Sequence, residues 1–176
     1  MISSLLRQHL KKDNCLLIGV GNILCGDDGF GPQVIQRLKG KTSLHLLDAG
    51  TAPENMLGPI LNLAPGVVVI VDAVSLNAPI GSLHWLAPDE LDGGSISTHA
   101  PSLDLLVSYI QQYNPGSQMY ILGAVPSSTR LGDNISDELK QAAEKLVSII
   151  AELFPAEEDI TPNSDNNHNK KCTNLP

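Results

Sequence analysis

Two adjacent carboxylates, Asp27 and Asp28, lie in the glycine-rich stretch Gly19-Val-Gly21-Asn22-Ile-Leu-Cys-Gly-Asp27-Asp28-Gly-Phe-Gly31-Pro32. A third acid, Asp72, directly follows the run Val67–Val71, and His99 lies in Ser95-Ile-Ser-Thr98-His99-Ala-Pro101. Aspartate and histidine are sensible ligands for a borderline transition metal. A closed structural zinc site takes four ligands, so three, two of them carboxylates, leave room for a ligand brought by something else. Each group also has a plainer use. An acid just before a helix caps free backbone N–H groups and complements the helix dipole, and one of Asp27 and Asp28 is expected to do so. A second adjacent carboxylate is unnecessary for capping. Asp72 could cap a turn, but Ala73-Val74-Ser75 leads into Pro79-Ile-Gly81 rather than a clear long helix.

Other chemistries fit these residues less well. Gly19-Val-Gly21 between a strand and a helix suggests a dinucleotide fold, and Asp48 sits where a ribose-binding acid would. The third glycine of that fingerprint is absent, because position 24 is leucine. Two carboxylates would also face an incoming pyrophosphate. Cys25 sits among those carboxylates, a poor setting for an anionic nucleophile. Ser95, Ser97, Thr98 and Ser102 surround His99, but no GxSxG elbow is present. His9, His45 and His84 have no comparable setting and read as surface or structural residues.

The elements that must position these groups follow from hydrophobic period. Strands are expected at Cys15–Gly19, Leu44–Asp48, Val67–Val71 and Met119–Ala124, the third with the continuous β-branched content of a strand buried on both faces. Ser82–Leu86 alternates and reads as an edge strand. Helices are expected over Pro32–Leu38, Pro53–Leu63 (short or kinked), Pro101–Tyr113 and Ser136–Phe154. Strand–helix alternation of this kind predicts an α/β domain with a mostly parallel sheet covered by helices. In such sheets ligands bind outside the carboxyl ends of the strands, where Asp28, Asp72 and His99 are all expected.

The chain has 176 residues, enough for about one domain, and 42% of them are hydrophobic. Eleven basic residues against nineteen acidic ones give a formal charge of −8, which argues against a nucleic-acid or anionic-membrane partner. The apolar run Val67–Val71 is far below the ~20 residues a bilayer span requires. The first twelve residues lack the apolar core of a signal peptide. Three cysteines, irregularly spaced, give neither a disulfide framework nor a zinc pattern, and the default is a cytoplasmic protein. Residues 1–155 read as the domain. Residues 156–176, Asn-rich and almost without apolar side chains, are expected to be a disordered polar tail. His168 and Cys172 fall in that tail. No coiled-coil signal is visible, and the chain reads as a monomer.

With these residues assembled, the sequence resembles the nickel–iron hydrogenase maturation proteases, the endopeptidases that trim the C-terminus of the hydrogenase large subunit. The resemblance is carried by Gly19–Gly31, by Asp48-Ala-Gly50-Thr-Ala-Pro53-Glu54-Asn55, by Val71-Asp72-Ala73 and by Ser97-Thr98-His99-Ala-Pro-Ser-Leu103. These segments occur in family order from about residue 14 to residue 150. Ala52-Pro53-Glu54-Asn55 looks most like the branch serving the formate-hydrogenlyase type of hydrogenase, hydrogenase 3. The resemblance implies a twisted five-stranded sheet between helices, and nickel bound by Asp28, Asp72 and His99. It further implies aspartyl-type catalysis by Asp28 and Asp72, and substrate contacts at Gly50, Pro53, Glu54 and Thr98. The nickel is expected to arrive with the large-subunit precursor and to serve for recognition. Asp28 or Asp72 would then act as ligand or general base. A non-catalytic metal-sensing chaperone of the large subunit, or a nucleotide-binding protein, are the alternatives.

Overall fold

The alternating apolar runs pair into one sheet in the computed structural model, which describes residues 1–10, 14–91, 97 and 99–156. In chain order the elements are α1 (Ile2–His9), β1 (Cys15–Val20), α2 (Phe30–Leu38), β2 (His45–Gly50), α3 (Leu57–Leu63), β3 (Val67–Ala73), β4 (Leu83–Leu86), α4 (Ala100–Tyr113), β5 (Gln118–Ala124) and α5 (Asp137–Leu153). Short 3-10 turns at Gly26–Gly29 and Pro53–Met56 precede α2 and α3. The expected helix over 53–63 is thus a turn followed by a short helix. The strand order is β2-β1-β3-β5-β4. Four strands are parallel, and β4 runs antiparallel to β5 at the edge.

The two faces of the sheet carry separate cores. Leu17, Val69, Val71 and Leu122 face Phe30, Val34, Ile35 and Leu38 of α2 and Leu139, Ala143, Leu146 and Ile150 of α5. Leu16, Ile18, Val68, Ile70 and Ile121 face Ile60 of α3 and Leu103, Leu106 and Ile110 of α4. Val68, Val69, Ile70 and Val71 are all fully buried, so β3 is the centre of the molecule. Each such side chain contributes roughly 1.5–3 kcal/mol on burial. α1 was not expected from the sequence. Its Leu6 is fully buried against the α2/α5 face, with Ile2 packed alongside and Leu10 just beyond the helix, an i, i+4, i+8 stripe.

The topology dictates where a ligand can sit. β1 is followed by α2 on one face and β2 on one side. The chain then passes along the other face through α3 to β3 on the opposite side of β1. The crevice outside the carboxyl ends of β1 and β3 is therefore the switch point of the sheet. Gly31 lets the start of α2 press into that crevice, since a Cβ there would fall on the Val71 and Val20 carbonyl oxygens. At the other end of the domain, Thr42 Oγ1 donates to the Phe154 carbonyl at 2.7 Å and residue 42 bridges to Pro155. The tail expected over 156–176, with His168 and Cys172, lies outside the described residues except for Ala156. Among the described residues no helix is long and apolar enough to cross a membrane.

Candidate functional site

Asp28 comes from the 3-10 turn after β1, Asp72 from the end of β3, and His99 from the residue that precedes α4. Parallel pairing sets Gly19 beside Val71, so the two strands end together and their acids reach the same crevice. One potential ligand atom from each of Asp28, Asp72 and His99 lies within 4.8 Å of the others. Asp28 is 4% exposed and Asp72 0%, while His99 is half-buried. The sequence-based trio is thus brought together.

The hydrogen bonds around the trio define its chemistry. Asp28 Oδ2 accepts from the Asn22 N–H at 2.7 Å and lies 3.2 Å from His99 Nε2. Asp72 Oδ1 accepts from the Ala73 N–H at 2.8 Å, and Oδ2 accepts from the Ser97 hydroxyl at 2.5 Å. Ser97 Oγ also accepts from the His99 N–H at 3.0 Å. One buried hydroxyl therefore orients a carboxylate and the backbone of the histidine together. Burial pushes the Asp72 carboxyl from 3.8 up to about 7, against the lowering effects of Ser97, positive His99 and Ala73. His99 is pushed above its ordinary 6.5, chiefly by the hydrogen bond to Asp28 and further by the charges of Asp72, Asp28 and Glu54, with burial opposing. A carboxyl held near 7 beside an imidazole can exchange a proton near neutral pH.

Asp27 has a different part from the helix cap expected of one of the pair. Neither the 3-10 turn nor α2 has a side-chain cap. Instead the Asp27 carboxylate, 1% exposed, accepts from the backbone N–H of Ser127 at 2.6 Å, Ser128 at 3.3 Å and Ser136 at 2.6 Å. The Ser136 hydroxyl adds a fourth bond at 3.0 Å. Ser136 caps α5 by accepting from the Leu139 N–H at 3.3 Å. Asp27 therefore ties the loop that carries Asp28 to the segment joining β5 and α5. Its partners stand 100 to 109 positions away along the chain, so no local pattern could show them.

The remaining candidates fall around this centre. Gly50, at the end of β2 with φ +55°, accepts from the Gly21 N–H at 2.8 Å and so anchors the base of the first loop. Pro53 is buried in its 3-10 turn. Glu54, in the same turn, is close enough for its charge to act on His99, and its Oε2 is shut from solvent without a hydrogen-bond partner among the described residues. Thr98 lies outside the described residues. Ser97 is the functional candidate that sequence reasoning passed over; it entered there as one of the hydroxyls around His99 and as part of the segment that carries the resemblance, with no role of its own. Its one local signal was the two-residue spacing to His99. The Asn22 N–H, which a bound pyrophosphate would need, is already used by Asp28. Asp48 is exposed and bonds the Gly50 N–H at 3.2 Å. His9 stacks with Trp85 at 5.6 Å between ring centroids, and His84 lies 2.8 Å from the Ser82 hydroxyl; neither belongs to the converging group.

Comparison with known proteins points the same way. Residues 32–153 match the model of the HycI family, hydrogenase maturation protease. The Escherichia coli K12 protein named hydrogenase 3 maturation protease is 28% identical over 132 residues, covering 73% of this chain and 83% of that one. The crystal structure of a [NiFe] hydrogenase maturation protease HycI from Thermococcus kodakarensis superposes with a TM-score of 0.77 at 33% identity, covering 85% of this chain and 97% of that one. The solution structure of an endopeptidase HycI from Escherichia coli gives 0.70 at 25% identity, covering 79% and 90%.

Proposed function

The chain belongs to the hydrogenase maturation protease family, and from that premise we propose that it removes the C-terminal extension of a nickel-loaded [NiFe] hydrogenase large-subunit precursor. The observation that carries the reading is the convergence of Asp28, Asp72 and His99 within 4.8 Å at the switch point of the sheet. Two carboxylates and an imidazole suit a borderline divalent ion such as nickel. A three-donor set leaves positions for ligands from elsewhere, which fits a metal that arrives on the substrate and reports that loading is complete. When bound, the nickel supplies Lewis acidity beside the scissile bond.

This chain's own groups supply the rest. Asp28 holds His99 by a hydrogen bond and Ser97 orients Asp72, which sets the two carboxylates to divide the roles of ligand and general base. Glu54, Pro53 and Gly50 belong to the substrate-facing rim in this reading, and a substrate contact is assigned to Thr98 as well. Ala52-Pro53-Glu54-Asn55, with the match to a hydrogenase 3 protease, supports a hydrogenase 3-type precursor. The reaction is placed in the cytoplasm and carried out by a monomer.

The test is the intact mass of the large-subunit precursor from the same organism after incubation with this protein, with and without prior nickel loading. Loss of a short C-terminal peptide from the loaded sample alone is the expected result. Cleavage regardless of nickel removes the recognition role given to the three ligands. Binding of the loaded precursor with its mass unchanged would replace the protease with a chaperone.

A further inference from the structure

Two loops at the rim of the trio turn large aliphatic side chains outward. Ile23 and Leu24 are 65% and 64% exposed, and Leu131 is 77% exposed. Single exposed leucines need no explanation, but contiguous ones mark interaction surfaces. They stand on turns that touch: the Leu24 carbonyl accepts from the Gly132 N–H at 2.8 Å, which brings the Leu131 turn against the Leu24 turn. Both loops are firmly built. The Leu24 N–H bonds Asn22 Oδ1 at 3.0 Å, and the Asn22 N–H bonds the Asp28 carboxylate at 2.7 Å. On the other side, the Ser128 hydroxyl donates to Asp133 at 2.6 Å, the Asp133 carbonyl accepts from Gly26 N–H at 3.2 Å, and Asp27 grips Ser127 and Ser136. The apolar knuckle is therefore held in place by the loop that carries Asp28.

We propose that Ile23, Leu24 and Leu131 form the docking surface for the precursor polypeptide, accepting apolar side chains that flank the scissile bond. This rests on the cleavage reading above and deepens it by naming the rim the substrate crosses. A peptidase must lay a chain across its reacting groups, and one approaching Asp28 over the Asn22–Leu24 turn meets these side chains. A second copy of this chain is the poorer occupant, because a stable dimer buries about 800 Å² on each partner. Three side chains fall well short of that, yet suffice to grip an extended segment. A rigid apolar surface needs no reordering on contact, and burying it lowers the dissociation rate.

The experiment measures binding and cleavage separately on the nickel-loaded large-subunit precursor of the same organism. Wild type is compared with the triple variant Ile23→Ser/Leu24→Ser/Leu131→Ser and with Tyr113→Ser, which removes an equally exposed side chain at the far end of α4. The triple variant is expected to raise Kd and KM by roughly tenfold or more, with kcat and the nickel affinity of the isolated protein unchanged. Tyr113→Ser is expected to leave Kd as it is. A triple variant within twofold of wild type, an equal loss in Tyr113→Ser, or a wild type that does not bind the precursor overturns the proposal. Wild-type binding without cleavage instead removes the protease reading, and the docking surface then stands or falls on the variants' Kd alone.

Discussion

Replacing Asp72 with asparagine is expected to stabilise the protein at pH 8 in the absence of added metal while abolishing its activity. Asp72 is fully buried at the end of β3, and loss of solvation holds its carboxyl near 7 instead of 3.8. Through that interval the native state keeps a proton that the unfolded chain has lost, so stability is fully present below about pH 4 and falls as pH rises through about 7. A shift of some three units at about 1.4 kcal/mol each sets a ceiling near 4 kcal/mol. His99 acts in the same direction. Its raised pKa gives a contribution present below 6.5 and lost as pH climbs through its native value. An asparagine carries no charge to desolvate. The Ser97 hydroxyl can turn to accept from the new amide, and the Ala73 N–H keeps its oxygen acceptor. In urea titrations from pH 5 to pH 8, wild type is expected to lose on the order of 2–4 kcal/mol. Most of that loss should be missing from Asp72→Asn. A wild-type profile that is flat or rises over this range, or a variant less stable than wild type at pH 8, refutes the reasoning.

Because nickel must displace the same protons, its affinity for the isolated protein should rise about tenfold or more between pH 6 and pH 8, as Asp72 goes from about one-tenth to about nine-tenths ionised; calorimetry giving a flat profile would contradict the ligand assignment. Ser97→Ala removes both the donor to Asp72 and the acceptor for His99 N–H, and a loss of nickel affinity of roughly tenfold with an unaltered circular dichroism spectrum is expected. Retained affinity would reduce Ser97 to a packing residue. Asp27→Ala strands three backbone N–H donors and should cost roughly 3 kcal/mol or more in urea unfolding. Asp28→Ala should cost far less while eliminating cleavage, and equal destabilisation by the two would show that the neighbouring acids share one task.

Much of this was legible along the chain, for identifiable reasons. The five β-branched residues of Val67–Val71 announce a doubly buried strand, and an acid directly after it must stand at the sheet's carboxyl edge. The same rule places Asp28, since parallel strands deliver their ends to one side whatever their order; His99 joins them because α4, which leads back into the parallel strand β5, begins at that edge. The lateral positions were not legible; they depend on which strands pair, and β1 lies between β2 and β3 although it precedes both. α1 escaped notice because its eight residues carry a stripe that gains meaning only when α2 and α5 are there to cover it. Ser97 and Asp27 escaped for one reason: their partners are distant. Asp72 lies 25 positions from Ser97, and Ser136 lies 109 from Asp27.

Asp27 and Asp28 show how adjacency in sequence becomes division of labour in space. A carboxylate offers about four lone-pair sites, and Asp27 takes four hydrogen bonds from the segment leading into α5. That anchorage fixes the 3-10 turn, and with it the direction of the next side chain. Asp28 is turned toward His99 and Asp72, three titratable groups within 4.8 Å, the two carboxylates buried and the histidine half-buried. Loss of solvation strains the ionised form, which is why Asp72 titrates so high, with the charge of Asp28 adding to the effect and that of His99 opposing it. The fold supports that strain with the rigid donors of Asn22, Ala73 and Ser97, placed on a sheet whose centre is its most buried strand. A cation arriving on a substrate would relieve the same strain, so the free energy held in burying the Asp72 carboxyl becomes binding energy for a metal ion, and a metal-loaded partner adds its own contacts to that.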